Sequence, residues 1–158
     1  MGLSSPVPTD VSIADVSCAR ATMTDPSNGI RLYFQVSALL FLFGSALPLL
    51  LVPRRWGRAF GWDVPDDAED TAFTMFSDYL GRCLGGIALV MTLAALRASA
   101  APLANLLLLE IIIATSAVLG GVHIYGALRR RQPWQETLEI GMYAGLVAIG
   151  GWLYLLAI

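Results

Sequence analysis

The stretch GGVHIYGALRRRQPWQETLEIGMY, residues Gly120–Tyr143, ends one long apolar segment and begins another. Between the two segments stand three consecutive arginines, followed by Pro133 and Trp134, which suit the start of a new helix at a membrane interface. A connection this short places the two flanking helices side by side and antiparallel. The stretch therefore predicts a helical hairpin, and it also contains the only histidine of the chain, His123.

Working outward, most of the chain consists of four apolar stretches: Leu32–Val52, Leu80–Leu96, Pro102–Leu128 and Leu138–Ile158. A helix needs about 20 apolar residues to cross a hydrocarbon core, and the second stretch reaches that length when the preceding TAFTMFSDY is included. The chain is 14% charged, whereas soluble domains are about 25% charged. We predict an all-α integral membrane four-helix bundle with antiparallel neighbours and short connections, its helices at about 32–52, 71–97, 102–128 and 136–158.

Residues 1–30 are rich in Ser, Thr, Pro and Asp and show no helical periodicity. We therefore predict a disordered polar N-terminal tail, followed by one transmembrane domain over 31–158. The tail does not resemble a signal peptide, because no basic segment opens it. The sequence leaves open whether translation starts at Met1 or at Met23.

The arginines predict the orientation of the helices. One side of the bundle would carry the first and third connections, with Arg54, Arg55, Arg58, Arg129, Arg130 and Arg131, and with Arg82 just inside. The other side would carry Arg20, Arg31 and Arg97. The positive-inside rule makes the first side cytoplasmic. Both termini would then face outward from a multi-pass protein of a bacterial inner membrane or a plasma membrane.

Small residues are predicted to bring the helices into contact, because burial of apolar surface does not drive association in lipid. Glycines at a spacing of four residues share one helical face. The predicted packing glycines are Gly81 and Gly85 in the second helix, Gly121 in the third, and Gly141 and Gly145 in the fourth. Such faces serve either packing within the bundle or contact with a partner, and the sequence leaves both readings open.

Ionisable side chains within apolar stretches are informative, because each costs at least about 2.5 kcal/mol at a helix centre. Arg82, His123 and Glu139 lie at similar distances from the predicted cytoplasmic helix ends, so we predict that they form one polar layer. Its further members would be Asp78, placed to pair with Arg82 along the helix, and the hydroxyl groups of Tyr79 and Tyr125. The layer is either a polar clasp or a functional site, such as a proton relay or a pocket for a lipid-like headgroup.

Glu110 lies near the opposite ends of the helices, at a depth similar to that of Gln35. Two interpretations remain open for this carboxylate. It either extends to the outer headgroups, or it is held within the bundle, hydrogen-bonded to Gln35, as a functional carboxylate.

Several function classes are not indicated by the sequence. A net charge of −2 argues against nucleic-acid binding, which usually needs a basic face. The motifs of serine hydrolases, zinc proteases and phosphate-binding loops do not occur. His123 with one nearby glutamate offers too few ligands for a typical zinc site, and one histidine excludes haem with two axial histidines. We therefore expect no metal and no cofactor.

Two segments carry a resemblance to a known family: LGRCLGG (Leu80–Gly86) at the start of the second helix and HIYGALRRR (His123–Arg131) at the end of the third. With these segments and its four helices, the chain resembles the small four-helix DoxX-like membrane proteins over about residues 31–158. The resemblance implies the architecture and an outward N-terminus, and it identifies no functional residue.

Together these features predict a small accessory or scaffold subunit without catalytic activity. It would lie in the lipid bilayer and pack against another membrane protein or a second copy of itself. The alternative is a carrier or an enzyme that acts on a small lipophilic molecule through the Arg82, His123 and Glu139 layer. A cavity lined by that layer would favour the alternative, and an exposed face of glycine and alanine would favour the scaffold.

Overall fold

The computed structural model of the protein describes residues 25–64 and 71–158, and within these ranges its regular structure is helical throughout. In chain order the elements are α1 (Pro26–Phe41), a π-helical turn (Leu42–Ala46), α2 (Leu47–Leu51), α3 (Pro53–Ala59), α4 (Ala72–Ala98), a 3-10 turn (Pro102–Asn105), α5 (Leu106–Leu128) and α6 (Trp134–Ala157). Four spans are long and apolar enough to cross a membrane: Pro26–Leu51, Ala72–Ala98, Pro102–Leu128 and Trp134–Ala157. The predicted all-α bundle of four helices is confirmed.

The first span begins at Pro26, earlier than predicted. Asp25 and Pro26 form a helix N-terminus that lies several residues before the apolar stretch. The Asp25 carboxylate accepts hydrogen bonds from the hydroxyl of Ser27 at 2.7 Å and from its backbone N–H at 2.9 Å, and Pro26 suits the first helical position. These hydrogen bonds lower the pKa of Asp25. The predicted tail over 1–30 is therefore wrong at residues 26–30, where Ile30 is fully buried. Residues 1–24 lie outside the described residues.

Proline interrupts the first span at Pro48, which has no N–H to donate to the carbonyl of Gly44. The helix widens into a π-helical turn just before this point. The indole Nε1 of Trp56 donates a hydrogen bond to the freed Gly44 carbonyl at 2.9 Å. An unpaired backbone group in lipid costs several kcal/mol, so Trp56 stabilises the interrupted helix. The span ends at the non-helical Val52, just before Pro53.

The four spans lie side by side in the order second, first, fourth, third. The second span packs along the first, the first also packs against the fourth, and α5 and α6 form the closest helix pair. The second and third spans meet at the short connection around the Pro102–Asn105 turn. There the hydroxyl of Ser99 donates to the Leu96 carbonyl at 2.7 Å, and the amide of Asn105 donates to the Ala101 carbonyl at 2.8 Å.

The core has buried residues from all four spans and includes the fully buried Ile30, Phe34 and Leu109. The Tyr33 hydroxyl donates to the Leu146 carbonyl at 3.0 Å. Gly150 makes room for this tyrosine, since a Cβ there would lie 2.7 Å from the hydroxyl oxygen.

The rest of the helical surface is mostly apolar and faces outward. In the most apolar 18 residues of each span, only 22% of the residues are buried. The exposed side chains include Leu32, Phe43, Phe73, Leu107 and Trp152. A monomeric soluble protein rarely exposes so much contiguous apolar surface, whereas lipid accommodates it. By its helices the chain is a small multi-pass membrane protein.

Candidate functional site

His123, Glu136 and Glu139 form a cluster at the closed end of the third–fourth hairpin. The connection is tight: Arg130 adopts a left-handed backbone conformation with φ of 51°, and the Arg131 N–H donates to the Gly126 carbonyl at 3.1 Å. Gly126 lacks a side chain where the Gln132 amide lies, so the turn can close on the helix end. The last turns of α5 therefore lie beside the first turns of α6.

The imidazole of His123 stands between the two carboxylates. Its Nδ1 lies 3.3 Å from Oε2 of Glu136, and its Nε2 lies 3.6 Å from Oε2 of Glu139. All three side chains are mostly buried, with 14%, 9% and 20% of their surface exposed for His123, Glu136 and Glu139. Two carboxylates thus share one small polar site, and a single ring offers each of them one nitrogen.

Two aromatic side chains hold the cluster in place. The indole Nε1 of Trp62, from the segment after α3, donates a hydrogen bond to Oε1 of Glu136 at 2.7 Å. The ring of Tyr143, buried in α6, stacks on the imidazole with 5.3 Å between centroids and 29° between planes. Trp62 therefore fixes one oxygen of Glu136 and leaves its other oxygen directed at the histidine.

The hydrogen bonds of the site are incomplete. His123 Nδ1 is fully buried and has no well-directed hydrogen bond among the described residues, although a Glu136 oxygen lies near it. The neighbouring Gln135 Oε1 is also buried without a hydrogen-bond donor. Buried polar atoms are normally paired, and a neutral imidazole can donate to only one of two flanking carboxylates. The arrangement is therefore suited to holding a proton or a cation between the two glutamates.

The prediction that Arg82 completes this layer is wrong, because Arg82 lies outside the cluster. It is exposed on α4 and lines a cleft of about 430 Å³ with Asp78 and the end of the first span. Within the described residues no ion pair joins it to Glu139. The reason is the order of the helices, because the first span packs against both α4 and α6. Equal depth in the membrane therefore does not bring these two side chains together.

The other predicted members of the layer also have different neighbours. Asp78 pairs with Arg54 rather than with Arg82, accepting from Nη2 at 2.8 Å and from Nε at 2.9 Å. Tyr79 is exposed on α4 beside Cys83. Tyr125 is exposed on α5, where the Arg129 guanidinium lies 5.5 Å from its ring centroid. Tyr79 and Tyr125 therefore lie on exposed helix faces, and Asp78 faces Arg54.

Glu110 and Gln35 are both exposed and form no hydrogen bond with each other in the described part of the chain, so the interpretation of a Glu110 held within the bundle by Gln35 has no support there. Glu110 instead lies beside the side chain of Tyr154 on the fourth span. The reason is again the order of the helices, since α5 packs mainly on α6.

The predicted packing glycines divide into two groups. Gly81 and Gly85 face the first span, where an added Cβ would lie 2.9 Å from Pro53 Cβ and 2.8 Å from the Leu50 backbone nitrogen. Gly121, Gly141 and Gly145 have no atom of another described element within 4 Å of the missing side chain. As packing sites within the bundle these three predictions are wrong, because their faces point outward. Gly29, Gly120 and Gly150 make the corresponding contacts instead.

An apolar groove of about 660 Å³ lies between the first and fourth spans. Leu40, Phe43 and Met142 are among its lining residues, and Gln135 and Glu139 supply its polar atoms. One carboxylate of the cluster therefore reaches the edge of an apolar space on the outside of the bundle.

Glu136 and Trp62 are the two members of the site that the sequence reasoning missed. The predicted layer takes its glutamate from about one turn inside the fourth helix, at Glu139, and does not include Glu136. A signal for it existed, since Glu136 and Glu139 are three residues apart and share a helical face. No sequence pattern identified Trp62, which comes from a connection 74 residues away along the chain. With Glu136 included, the expectation of too few metal ligands no longer holds.

Comparison of the chain with protein-family models, with curated proteins and with solved structures finds no match.

Proposed function

We propose that this small membrane protein is a non-catalytic accessory or scaffold subunit that packs against another transmembrane helix through the outer face of its fourth span. One observation carries the proposal. Gly141 and Gly145 are four residues apart, and each has open space where a side chain would begin. Glycines that serve the fold, such as Gly85 and Gly150, are instead packed closely against a neighbouring span.

The same outer face carries further small side chains. Ala144 and Ala148 are exposed, and with the two glycines they occupy adjacent positions along one face of α6. Small residues allow two helix backbones to approach closely in lipid, where contact and not water exclusion drives association. A face of this kind fits an identical face on a second copy of the chain, since a two-fold interface uses the same patch twice. A second copy is thus the simplest occupant.

A second candidate function is binding of a small lipophilic molecule in the groove between the first and fourth spans. The specific support is the volume of about 660 Å³ and a mostly apolar lining with a few polar side chains, among them Glu139. Ligand pockets commonly combine an apolar lining with a few polar groups that fix orientation. The predicted form of this function, acting through Arg82, has no support in the geometry, because Arg82 lines a different cleft.

One experiment separates the two candidates: purification of the full chain from native membranes in a mild detergent, followed by native mass spectrometry. We expect a dimer of the chain, and we expect Gly145→Leu to convert it to monomer. Gly86→Leu is the matched control, because Gly86 also has open space at its Cβ but lies on the second span. It should leave the dimer intact.

The outcomes discriminate as follows. A complex that survives Gly145→Leu would contradict the proposed contact surface, as would a wild-type chain that is monomeric at every protein concentration. If the chain is found in a complex with a different protein, and only Gly145→Leu abolishes that complex, the proposed contact surface is supported. Its occupant is then that protein and not a second copy of the chain. A monomer that carries a stoichiometric small molecule, lost on filling the groove with Ser45→Phe, would support the second candidate.

A further inference from the structure

The cluster at the end of the third–fourth hairpin has the composition of a metal site. We propose that His123, Glu136 and Glu139 bind a divalent transition-metal cation of the zinc type. One ligand atom from each residue lies within 4.8 Å of the other two. This inference is independent of the proposed packing role, which rests on the opposite, outward face of α6.

The distances suit a tetrahedral cation. Bonds of about 2.0–2.2 Å to nitrogen and carboxylate oxygen place tetrahedral ligand atoms roughly 3.3–3.6 Å apart. The separation of 3.3 Å between His123 Nδ1 and Glu136 Oε2 falls in this range, whereas the Glu139 oxygen lies 3.6 Å from the other ring nitrogen, Nε2. Because the two contacts use different ring nitrogens, one carboxylate must move closer to the nitrogen that binds the cation, from a starting separation within 4.8 Å. We assign this movement to Glu139, because it is the more exposed of the two glutamates and Glu136 is held by Trp62.

Charge supports the same assignment. Two carboxylates that are mostly buried and face one histidine carry two negative charges, which are costly away from water without compensation. Arg82, the cation that the sequence places at this depth, lines another cleft. A divalent cation with a neutral imidazole and two glutamates makes an overall neutral group. The buried Nδ1 of His123, which has no well-directed hydrogen bond, would also gain a partner if it is the ligating nitrogen.

The surroundings resemble the second layer of residues around known metal sites. Ligating carboxylates usually accept a hydrogen bond through their other oxygen, as Glu136 Oε1 does from Trp62 at 2.7 Å. The stacked ring of Tyr143 limits rotation of the imidazole. Trp62 comes from the first connection, so an occupied site would join that connection to the third–fourth hairpin.

The ligand types select the class of cation. Imidazole with carboxylates suits zinc, iron and related ions, whereas Mg²⁺ and Ca²⁺ favour more numerous oxygen ligands. Three protein ligands leave one tetrahedral position open for water. The site is therefore assigned to a zinc-type cation and not to an alkaline-earth cation.

The test uses the full chain without a histidine tag, purified in detergent and treated with a chelator. Titration with Zn²⁺ in a calorimeter should show one ion per chain, and the melting temperature should rise with Zn²⁺ because the ion binds the folded state. Glu139→Gln should weaken the Kd at least tenfold. Trp62→Phe removes no ligand and should weaken it 10–100-fold, the usual effect of losing an outer partner.

The matched control is Glu110→Gln, the same substitution at an exposed carboxylate outside the cluster, and it should bind Zn²⁺ like the wild type. Mg²⁺ at the same concentrations should show no saturable binding. The proposal is overturned if the wild type binds no stoichiometric Zn²⁺, or if Glu139→Gln and Glu110→Gln bind it equally. Circular dichroism of each variant without metal separates loss of the site from loss of the fold.

Discussion

Gly85 is the residue at which the second span comes closest to the first. A Cβ added there would lie 2.8 Å from the backbone nitrogen of Leu50 and 3.0 Å from the carbonyl oxygen of Ala46. Both of these atoms belong to the main chain, so neither can rotate away. At the adjacent Gly86, no atom of another described element lies within 4 Å of the same position. Two neighbouring glycines therefore have opposite roles in the bundle.

Replacement of these two glycines tests that difference. We expect Gly85→Leu to destabilise the bundle by about 1–3 kcal/mol or more, the range for overpacking a tight contact. Gly86→Leu should be neutral or stabilising by up to about 1 kcal/mol, because leucine has the higher helix propensity. Reversible unfolding in detergent, followed by circular dichroism, measures both. Equal stability of the two variants would contradict the role of the close contact at Gly85 in stabilising the bundle.

The sequence could indicate which glycines share a helical face but not where that face points. The spacing of Gly81 and Gly85 is the same as that of Gly141 and Gly145, yet the first pair faces another span and the second faces outward. The difference comes from the rotation of each helix about its axis, which its neighbours set. In an apolar helix nearly every face is equally hydrophobic, so composition gives little information on that rotation.

The third–fourth hairpin depends on a turn with one strained residue. Arg130 has φ of 51°, a conformation that costs a residue with a side chain roughly 1–2 kcal/mol relative to the right-handed region. Its N–H donates to the Ala127 carbonyl at 3.0 Å, and the next N–H closes on Gly126. This is the helix end at which glycine is usually found.

We therefore expect Arg130→Gly to stabilise the hairpin by up to about 1 kcal/mol, the relief of strain being offset partly by greater freedom of the unfolded chain. Arg129→Gly is the matched control. Arg129 has φ of −82° and pairs with the Tyr125 ring, so its replacement should destabilise. Unfolding in detergent compares the two, and a loss of stability in Arg130→Gly would show that the arginine side chain matters more than its backbone strain.

The positions of helix ends could be predicted from the sequence where a helix begins and ends together with an apolar stretch. The third span was predicted at 102–128 and is Pro102–Leu128. The first and fourth spans begin earlier than predicted, at Pro26 and Trp134, because their first turns are polar and hydropathy does not register them.

At the scale of the whole molecule, the order of the spans was not contained in the sequence pattern. Short connections indicate that consecutive helices are close at one end, but the contact between the first and fourth spans joins distant parts of the chain. This contact places the first span between Arg82 and the His123 cluster. It also brings Trp62 to Glu136. This hydrogen bond joins the segment that follows the first span to the start of the fourth span. The two arginine-rich segments consequently lie at the same end of the bundle.

That common end gives the predicted orientation a sharp test. The native cysteines are first replaced by Cys18→Ser and Cys83→Ser, and single cysteines are then introduced by Gln132→Cys in the third connection or after Ile158. If the arginine-rich end is cytoplasmic, an impermeant thiol reagent added to intact cells should label the cysteine after Ile158 and spare Gln132→Cys. Permeabilised cells serve as the control, in which both should react. Labelling of Gln132→Cys in intact cells would reverse the orientation and place the His123, Glu136 and Glu139 cluster on the outer side, exposed to external rather than cytoplasmic cations.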